Sequence, residues 1–317
     1  MTPRFILIAA LASFSLNLQA GSVLDRVKAD QTVRCGAVER PGIARVGEKG
    51  NWEGLAVDVC RAVAAAVLGS PDRVTFDEYE TPAQFDRIRQ GQDDVYFLTG
   101  SEIRFNDLAG FVLPGPTVYY ESHGIIVPKS SKARRIADLA GKRICIRTPS
   151  LVERSVSDFF ERRHLTWLPQ PFSEDGEMVD AFGAGRCDGM GYELTTLTGV
   201  PQQGQRLLVD ATSTFPLMAS TGTKDAEWAA IVAWTVDSLI AAERTETAWY
   251  AGGAGAMPVM APELGLDPKW QGRVLASVGH YGMIYERNLG KASGLQLARG
   301  PNADPASGGL LLAPFLE

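Results

Sequence analysis

Residues 50–69 read GNWEGLAVDVCRAVAAAVLG, a turn followed by an alanine-rich run in which Ala56, Cys60, Val63 and Val67 recur at helical spacing. Side chains three and four positions apart share one face of an α-helix, and Gly69 with Pro71 forms a C-terminal stop. The segment predicts one amphipathic helix ending at Gly69, and an apolar stripe of that kind needs a sheet or a second helix to lie on. Residues 32–38 and 74–79 read as strands on either side of it. Thr81-Pro82-Ala83-Gln84 has the capping-box pattern with proline at the first helical position, so a short helix through Phe85 and Ile88 is expected, ended by Gly91 and followed by a strand at 95–98. Strand and helix alternate, which implies a mostly parallel sheet with helices on its faces, an α/β fold.

The alternation pauses and restarts. Residues 118–127 look extended, and the polar stretch 128–132 reads as a crossing between domains. Beyond it come a one-turn helix at 138–142, a strand at 143–147, a second capping box at Ser150-Leu151-Val152-Glu153 opening a helix through Phe159 and Phe160, a helix at 178–182 and a strand at 186–190. Near residues 215–220 the chain is expected to cross back, because the helices at 228–242 and 268–287 bring no strands of their own.

Arg4, an apolar run from Phe5 to Leu16 and a small-residue site at Ala20 have the layout of a secretory signal peptide, residues 1–20, cut after Ala20. The run is shorter than the ~20 apolar residues that span a bilayer. An exported chain meets an oxidising compartment, so Cys35, Cys60, Cys145 and Cys187 are expected to form two disulfides. Three pairings are possible. Cys35 with Cys60 and Cys145 with Cys187 are favoured because each then stays within one domain and leaves a hinge free, at roughly 3–4 kcal/mol apiece in the chain-entropy picture. A hydrophobic content of 45% with 21% charged residues is ordinary for a globular protein, and the net charge of -6 without a basic aromatic cluster argues against nucleic acid as a partner. No C-x-x-C spacing and three scattered histidines give no metal site.

The first helix segment, AGRCD at 184–188, VGHYGMIYERNLG at 278–290, and LARGPN with GGLLLAP near the C-terminus resemble the general L-amino acid-binding proteins, the exported solute receptors of polar amino acid ABC transporters. The resemblance runs over nearly all of the chain after residue 20. It implies a type II periplasmic binding protein, two lobes that close like a flytrap, each a mostly parallel sheet flanked by helices and joined by two hinge crossings. Residues 21–126 and 216–317 would form one lobe and 127–215 the other. It also implies a small polar solute, an ABC permease as membrane partner, a periplasmic location, a monomer and no cofactor.

An amino acid in water is a zwitterion, and a closing cleft must replace the hydration of both charges, since burying either one unpaired is prohibitive. Carboxylates suit an arginine fork, hydroxyls and helix N-terminal amides; an ammonium needs an acid. By the resemblance, Glu193 stands where the family has an aspartate for the ligand's amino group, and Ser101, in Thr99-Gly100-Ser101, stands at a hydroxyl position near the carboxylate. The family's carboxylate-binding arginine falls on Asn106, with Arg104 two residues earlier as a candidate replacement. Pro149-Ser150-Leu151 replaces a Gly-Thr-Thr turn, so Ser150 is expected to cap its helix, with the remaining amides and Arg147 near an anion. Gly42-Ile43-Ala44 replaces a stretch containing phenylalanine, and Trp52, Tyr119, Tyr120 and Tyr192 are candidates for the apolar wall. Two other readings stay open: a cyclohexadienyl dehydratase-like enzyme on the same fold, with Glu193 as its acid, and a receptor that has lost amino acid binding and serves in signalling. No nucleophile elbow, zinc-binding helix or phosphate loop supports other catalysis.

Overall fold

The computed structural model describes residues 22–199, 204–244 and 262–313. The expected signal segment lies outside them. Nine strands form one sheet. In chain order its elements begin with α1 (Val23–Asp30), β1 (Val33–Ala37), the small hairpin β2 (Arg45–Val46) and β3 (Trp52–Glu53), α2 (Leu55–Leu68), β4 (Val74–Glu78), α3 (Pro82–Arg89), β5 (Val95–Thr99) and α4 (Gly100–Phe105). After β6 (Val112–Leu113) comes the long β7 (Thr117–Pro128). The next set is β8 (Arg143–Arg147), α5 (Leu151–Glu161), β9 (Leu168–Phe172), α6 (Asp175–Gly183), β10 (Gly189–Glu193) and α7 (Leu194–Gly199). A second long strand, β11 (Gln205–Gly222), leads to α8 (Ala226–Arg244), α9 (Trp270–Val278) and α10 (Tyr281–Asn288).

The strand order is β4-β1-β5-β11-β7-β10-β8-β9, with β6 on β11 and the β2–β3 hairpin apart. β1, β4 and β5 are mutually parallel at one end, and β8, β9 and β10 at the other. Between them β7 and β11 run antiparallel to each other, β11 antiparallel to β5 and β7 antiparallel to β10. β5 therefore points along β7 and β10 points against it, so the carboxyl ends of the two parallel sets face one another at the middle of the molecule. The ladder between β7 and β11 breaks there: Gly124 pairs with Val209 and Ser122 with Thr214, so β11 spends extra residues on a bulge.

Apolar burial follows the same division. One large cluster holds α2, β1, α8, α9 and α10, with Val118, Tyr119, Leu217 and Ala219 from the long strands, and a smaller one lies on the opposite face around Tyr79, Phe97's neighbour Tyr96 and Leu98. Two others hold β8, α5 and Phe160, or α6, Met190 and Leu197.

α2 is buried on nearly all sides, not along one stripe: Leu55 to Cys60 and Ala62 to Ala66 are all inaccessible. It is sandwiched between the sheet and α8, α9 and α10, and its alanines allow that close approach. Its one buried acid, Asp58, accepts from Arg61 (3.0 Å), Arg287 Nε (2.8 Å) and Asn288 Nδ2 (2.7 Å), tying α2 to α10. Cys60 of α2 is bonded to Cys35 of β1, and Cys145 of β8 to Cys187 just beyond α6, with Cα separations of 6.4 and 5.6 Å. The favoured pairing is the one present.

The structure differs from the sequence reading in several places, among them the strand expected at 186–190, which runs instead over Gly189–Glu193. The helix expected over 268–287 is two helices, because Gly279 takes φ +79° and a β-carbon there would lie 2.9 Å from Met283 Sδ. Ser150 caps α5 by accepting from the Glu153 N–H (3.0 Å), but Glu153 does not reach back, so the box is half formed. β9 and α1 were not anticipated; β9 carries Pro169 and Pro171, which suit an edge strand and mask a strand signal. Thr99 caps α4, and Gly100 and Ser101 lie in its first turn.

Candidate functional site

The polar residues that matter gather where the two sets of strand ends meet, the position at which open α/β sheets bind ligands. Arg40 follows β1, Thr99 ends β5, Arg147 ends β8 and Glu193 ends β10.

Arg40 is placed by a tight loop. Its N–H donates to the Ala44 carbonyl (2.8 Å) and the Ala44 N–H returns to the Arg40 carbonyl (3.0 Å). The carbonyls of Gly42 and Ile43 then cap α2 by accepting from the Leu55 and Ala56 N–H groups, both at 2.9 Å. Gly54, at φ +134°, allows this docking, because a β-carbon would stand 2.2 Å from the Ile43 oxygen. The loop is thus clamped to the most buried helix of the molecule.

From there Arg40 Nη2 donates to Glu102 Oε1 at 2.5 Å, with both side chains mostly buried. Glu102 is itself fixed. Its Oε2 accepts from the Thr99 N–H (2.7 Å) and the Thr99 hydroxyl (2.9 Å), while the Glu102 N–H donates to Thr99 Oγ1 (3.3 Å), a full capping box on α4. Arg40 Nη1 is buried and has no hydrogen-bond partner among the described residues. Burial works against the Arg40 charge, but Glu102, then Glu121 and Glu193, outweigh it and hold the guanidinium protonated above its ordinary range.

Two carboxylates complete this middle region. Glu121 of β7 is buried; its Oε2 accepts from the Thr195 hydroxyl of α7 (2.7 Å) and its Oε1 from the Ser122 N–H (3.0 Å). Burial pushes its pKa up to about 7, the Glu193 charge adds to the rise, and Thr195 and Arg40 pull against it. Glu193 is also raised, first by burial and then by Asp175 and Glu102, with its own backbone N–H and Arg40 opposing. Beside it Asp175 Oδ2 accepts from the Tyr192 hydroxyl (2.5 Å) and from Arg147 Nη1 (3.1 Å), while Oδ1 is buried without a partner among the described residues.

The residues singled out from sequence fall in two groups. Glu193, Thr99 and Tyr192 belong to this cluster, and Tyr119 is buried close enough to Glu121 to feel its charge. Ser101 is half-buried in the first turn of α4. Ser150 sits at the second rim, its hydroxyl donating to the Arg147 carbonyl (2.6 Å) as well as capping α5. Arg104 is exposed, its guanidinium 5.2 Å from the ring of its neighbour Phe105. Asn106 ends α4, donating to the Glu102 carbonyl (2.9 Å) and accepting from Arg89 at its own carbonyl. Trp52 packs on Phe76, ring centroids 4.9 Å apart, against the large core. Tyr120 pairs its backbone with Asn302.

Sequence reasoning missed Arg40, Glu102 and Glu121. Thr99-Gly100-Ser101-Glu102 carries the same T-x-x-E signature used elsewhere in the chain, so Glu102 was legible. Nothing local marks Arg40 or Glu121.

Comparison with known proteins returned consistent relatives, although no protein-family model matches the chain. It is 30% identical to the general L-amino acid-binding periplasmic protein AapJ of Rhizobium johnstonii, over 96% of each chain. It is 30% identical, again over 96% of each, to the glutamate/glutamine/aspartate/asparagine-binding protein BztA of Rhodobacter capsulatus. Among solved structures, a periplasmic binding protein of an ABC transporter from Brucella ovis, with glutathione bound, superposes with a TM-score of 0.76 at 29% identity, covering 92% of this chain and 98% of that one.

Proposed function

The chain belongs to the amino-acid-binding periplasmic proteins of ABC transporters, with their type II two-lobe fold, and from that premise we propose that it captures one free amino acid between Arg40 and Glu193. The observation that carries this reading is Arg40 Nη1, a buried charged donor without a partner, at a strand-end cleft where Glu193 offers the opposite charge. An orphaned buried donor costs about 1–3 kcal/mol, and a ligand carboxylate removes that cost with a charge-assisted bond. The ammonium goes to Glu193, and the hydroxyls of Ser101 and Tyr192 lie along the same rims.

In this reading residues 21–126 with 216–317 form one lobe and 127–215 the other, and closure is a rotation about β7 and β11 near the bulge. Delivery is to an ABC permease, as a monomer, from a periplasmic location after removal of residues 1–20. No helix among the described residues is long and apolar enough to cross a membrane. The relatives are solute-binding proteins, and we assign this chain no chemistry of its own.

A thermal-shift screen against the common amino acids at millimolar concentration tests the assignment. A ligand that binds only the folded state raises Tm with concentration. A rise with at least one amino acid is expected; no shift with any of them contradicts the proposal, and conversion of a bound compound to a new product contradicts the assignment of no chemistry.

A further inference from the structure

The charges at the cleft do not balance, and the imbalance is specific. Two guanidinium groups, Arg40 and Arg147, stand among four carboxylates, Glu102, Glu121, Asp175 and Glu193. Both cations are already engaged: Arg40 with Glu102 at 2.5 Å, Arg147 with Asp175 at 3.1 Å. Glu121 and Glu193 have no ion-pair partner among the described residues. The acids are not gathered as ligands for a metal ion, since no such group of three or more exists among the described residues.

A ligand with one ammonium and one carboxylate uses Glu193 and the spare nitrogen of Arg40. It leaves Glu121 as it was, buried on β7, hydrogen-bonded by the Thr195 hydroxyl at 2.7 Å and the Ser122 N–H at 3.0 Å and without an ion-pair partner among the described residues. The groups around Glu121 are Arg40 from the loop after β1, Glu193 from β10, Thr195 from α7, and Tyr119 and Tyr285 from the first core. A buried carboxylate of this kind is disfavoured unless a cation or a proton neutralises it.

Building on the function proposed above, we propose that the ligand this cleft selects carries a second cationic group, a diamino or guanidino monocarboxylic acid, with Glu193 and Glu121 as its two acidic partners and Arg40 Nη1 on its carboxylate. An amino acid with an acidic side chain instead adds a charge of the sign already in excess. Glu121 is then the residue that sets specificity, and Thr195 holds it in position from the helix that begins just after Glu193. The carboxyl of Glu121, raised by burial to about 7, ionises fully once that second cation is beside it.

Isothermal titration of the full chain without its first twenty residues, at pH 8, with L-lysine, L-ornithine, L-arginine, L-norleucine, L-glutamine and L-glutamate, decides the point. Norleucine has the carbon chain of lysine without the second charge. The expected result is Kd at least tenfold lower for the three cationic ligands than for norleucine and glutamine, and at least a hundredfold lower than for glutamate. Glu121→Gln should shrink the lysine-to-glutamine ratio at least fivefold, with Thr195→Val as the companion variant if that protein does not fold. Equal or tighter binding of glutamine or glutamate overturns this inference while the amino acid receptor stands. A cationic preference that survives Glu121→Gln and Thr195→Val unchanged overturns the role of Glu121. Failure of all amino acids, these six and the rest of the common set, overturns both proposals.

Discussion

The two rims of the cleft are built on different principles. On the rim that follows β1 and β5, Thr99, Glu102 and Arg40 form a chain in which every oxygen of Glu102 is occupied and one nitrogen of Arg40 is left over. The rim that follows β8 and β10 has the reverse shortage: Arg147 and Tyr192 both serve Asp175 Oδ2, and among the described residues Asp175 Oδ1 has no hydrogen-bond partner and the Glu193 carboxylate forms no ion pair. One side is preorganised and short of an anion, the other short of a cation. In the proposed function a zwitterion supplies what each rim lacks, which is what closing two lobes on one solute would require physically.

The largest effect is expected from loosening one half of the molecule while the other stays intact. Removing the Cys145–Cys187 bond with a double serine variant should lower unfolding free energy by about 3–4 kcal/mol in urea titrations. The first half, with its own Cys35–Cys60 bond and larger core, should then be the last to unfold under native-state hydrogen exchange. Arg40→Ala tests the preorganised rim directly, and affinity should fall on the order of a hundredfold because a buried charged pair loses one member. A change below threefold in calorimetry would place the carboxylate elsewhere.

Glu193→Gln tests the other rim, with a roughly ten- to thirtyfold loss of affinity expected. The unliganded variant should be as stable as the parent or more so, since burial already disfavours the Glu193 charge.

Acid acts on β7, the strand shared by both halves. His123 of β7 is buried between Ser155 (Nδ1 to Oγ 2.7 Å) and the stacked ring of Phe215 (4.7 Å), and burial lowers its pKa to about 4. Its folded pKa lies below the unfolded value near 6.5, so the neutral ring's contribution is complete above pH 6.5 and is lost as pH falls toward 4. Between pH 7 and pH 5 the loss should be about 1–2 kcal/mol in chemical denaturation, and His123→Gln should flatten that slope. The smallest effect belongs to Arg104→Ala, which should alter affinity less than about twofold, because the exposed guanidinium lies over Phe105.

What was legible in the sequence was what local rules encode. Helix 55–68 announced itself by period and stop, helix 82–89 by its capping box and proline, and strands 143–147 and 95–99 by short apolar runs between turn signals. Arg40 and Glu121 carry no such mark. Arg40 is a loop residue whose meaning comes from Glu102, sixty-two positions later in the chain, and Glu121 looks like any polar residue of an extended segment until Thr195, seventy-four positions on, is packed over it. Family position led to residue 106 for the carboxylate and its neighbourhood to Arg104; Arg104 is exposed beside Phe105, and Asn106 donates back to its own helix.

A crystal structure of the protein with a bound amino acid would show where the two charges of the ligand go. The ligand carboxylate is expected within hydrogen-bond distance of Arg40 Nη1 and the α-ammonium on Glu193, between the carboxyl ends of β1 and β5 and those of β8 and β10. A ligand seated with neither charged group on these two residues would contradict that placement.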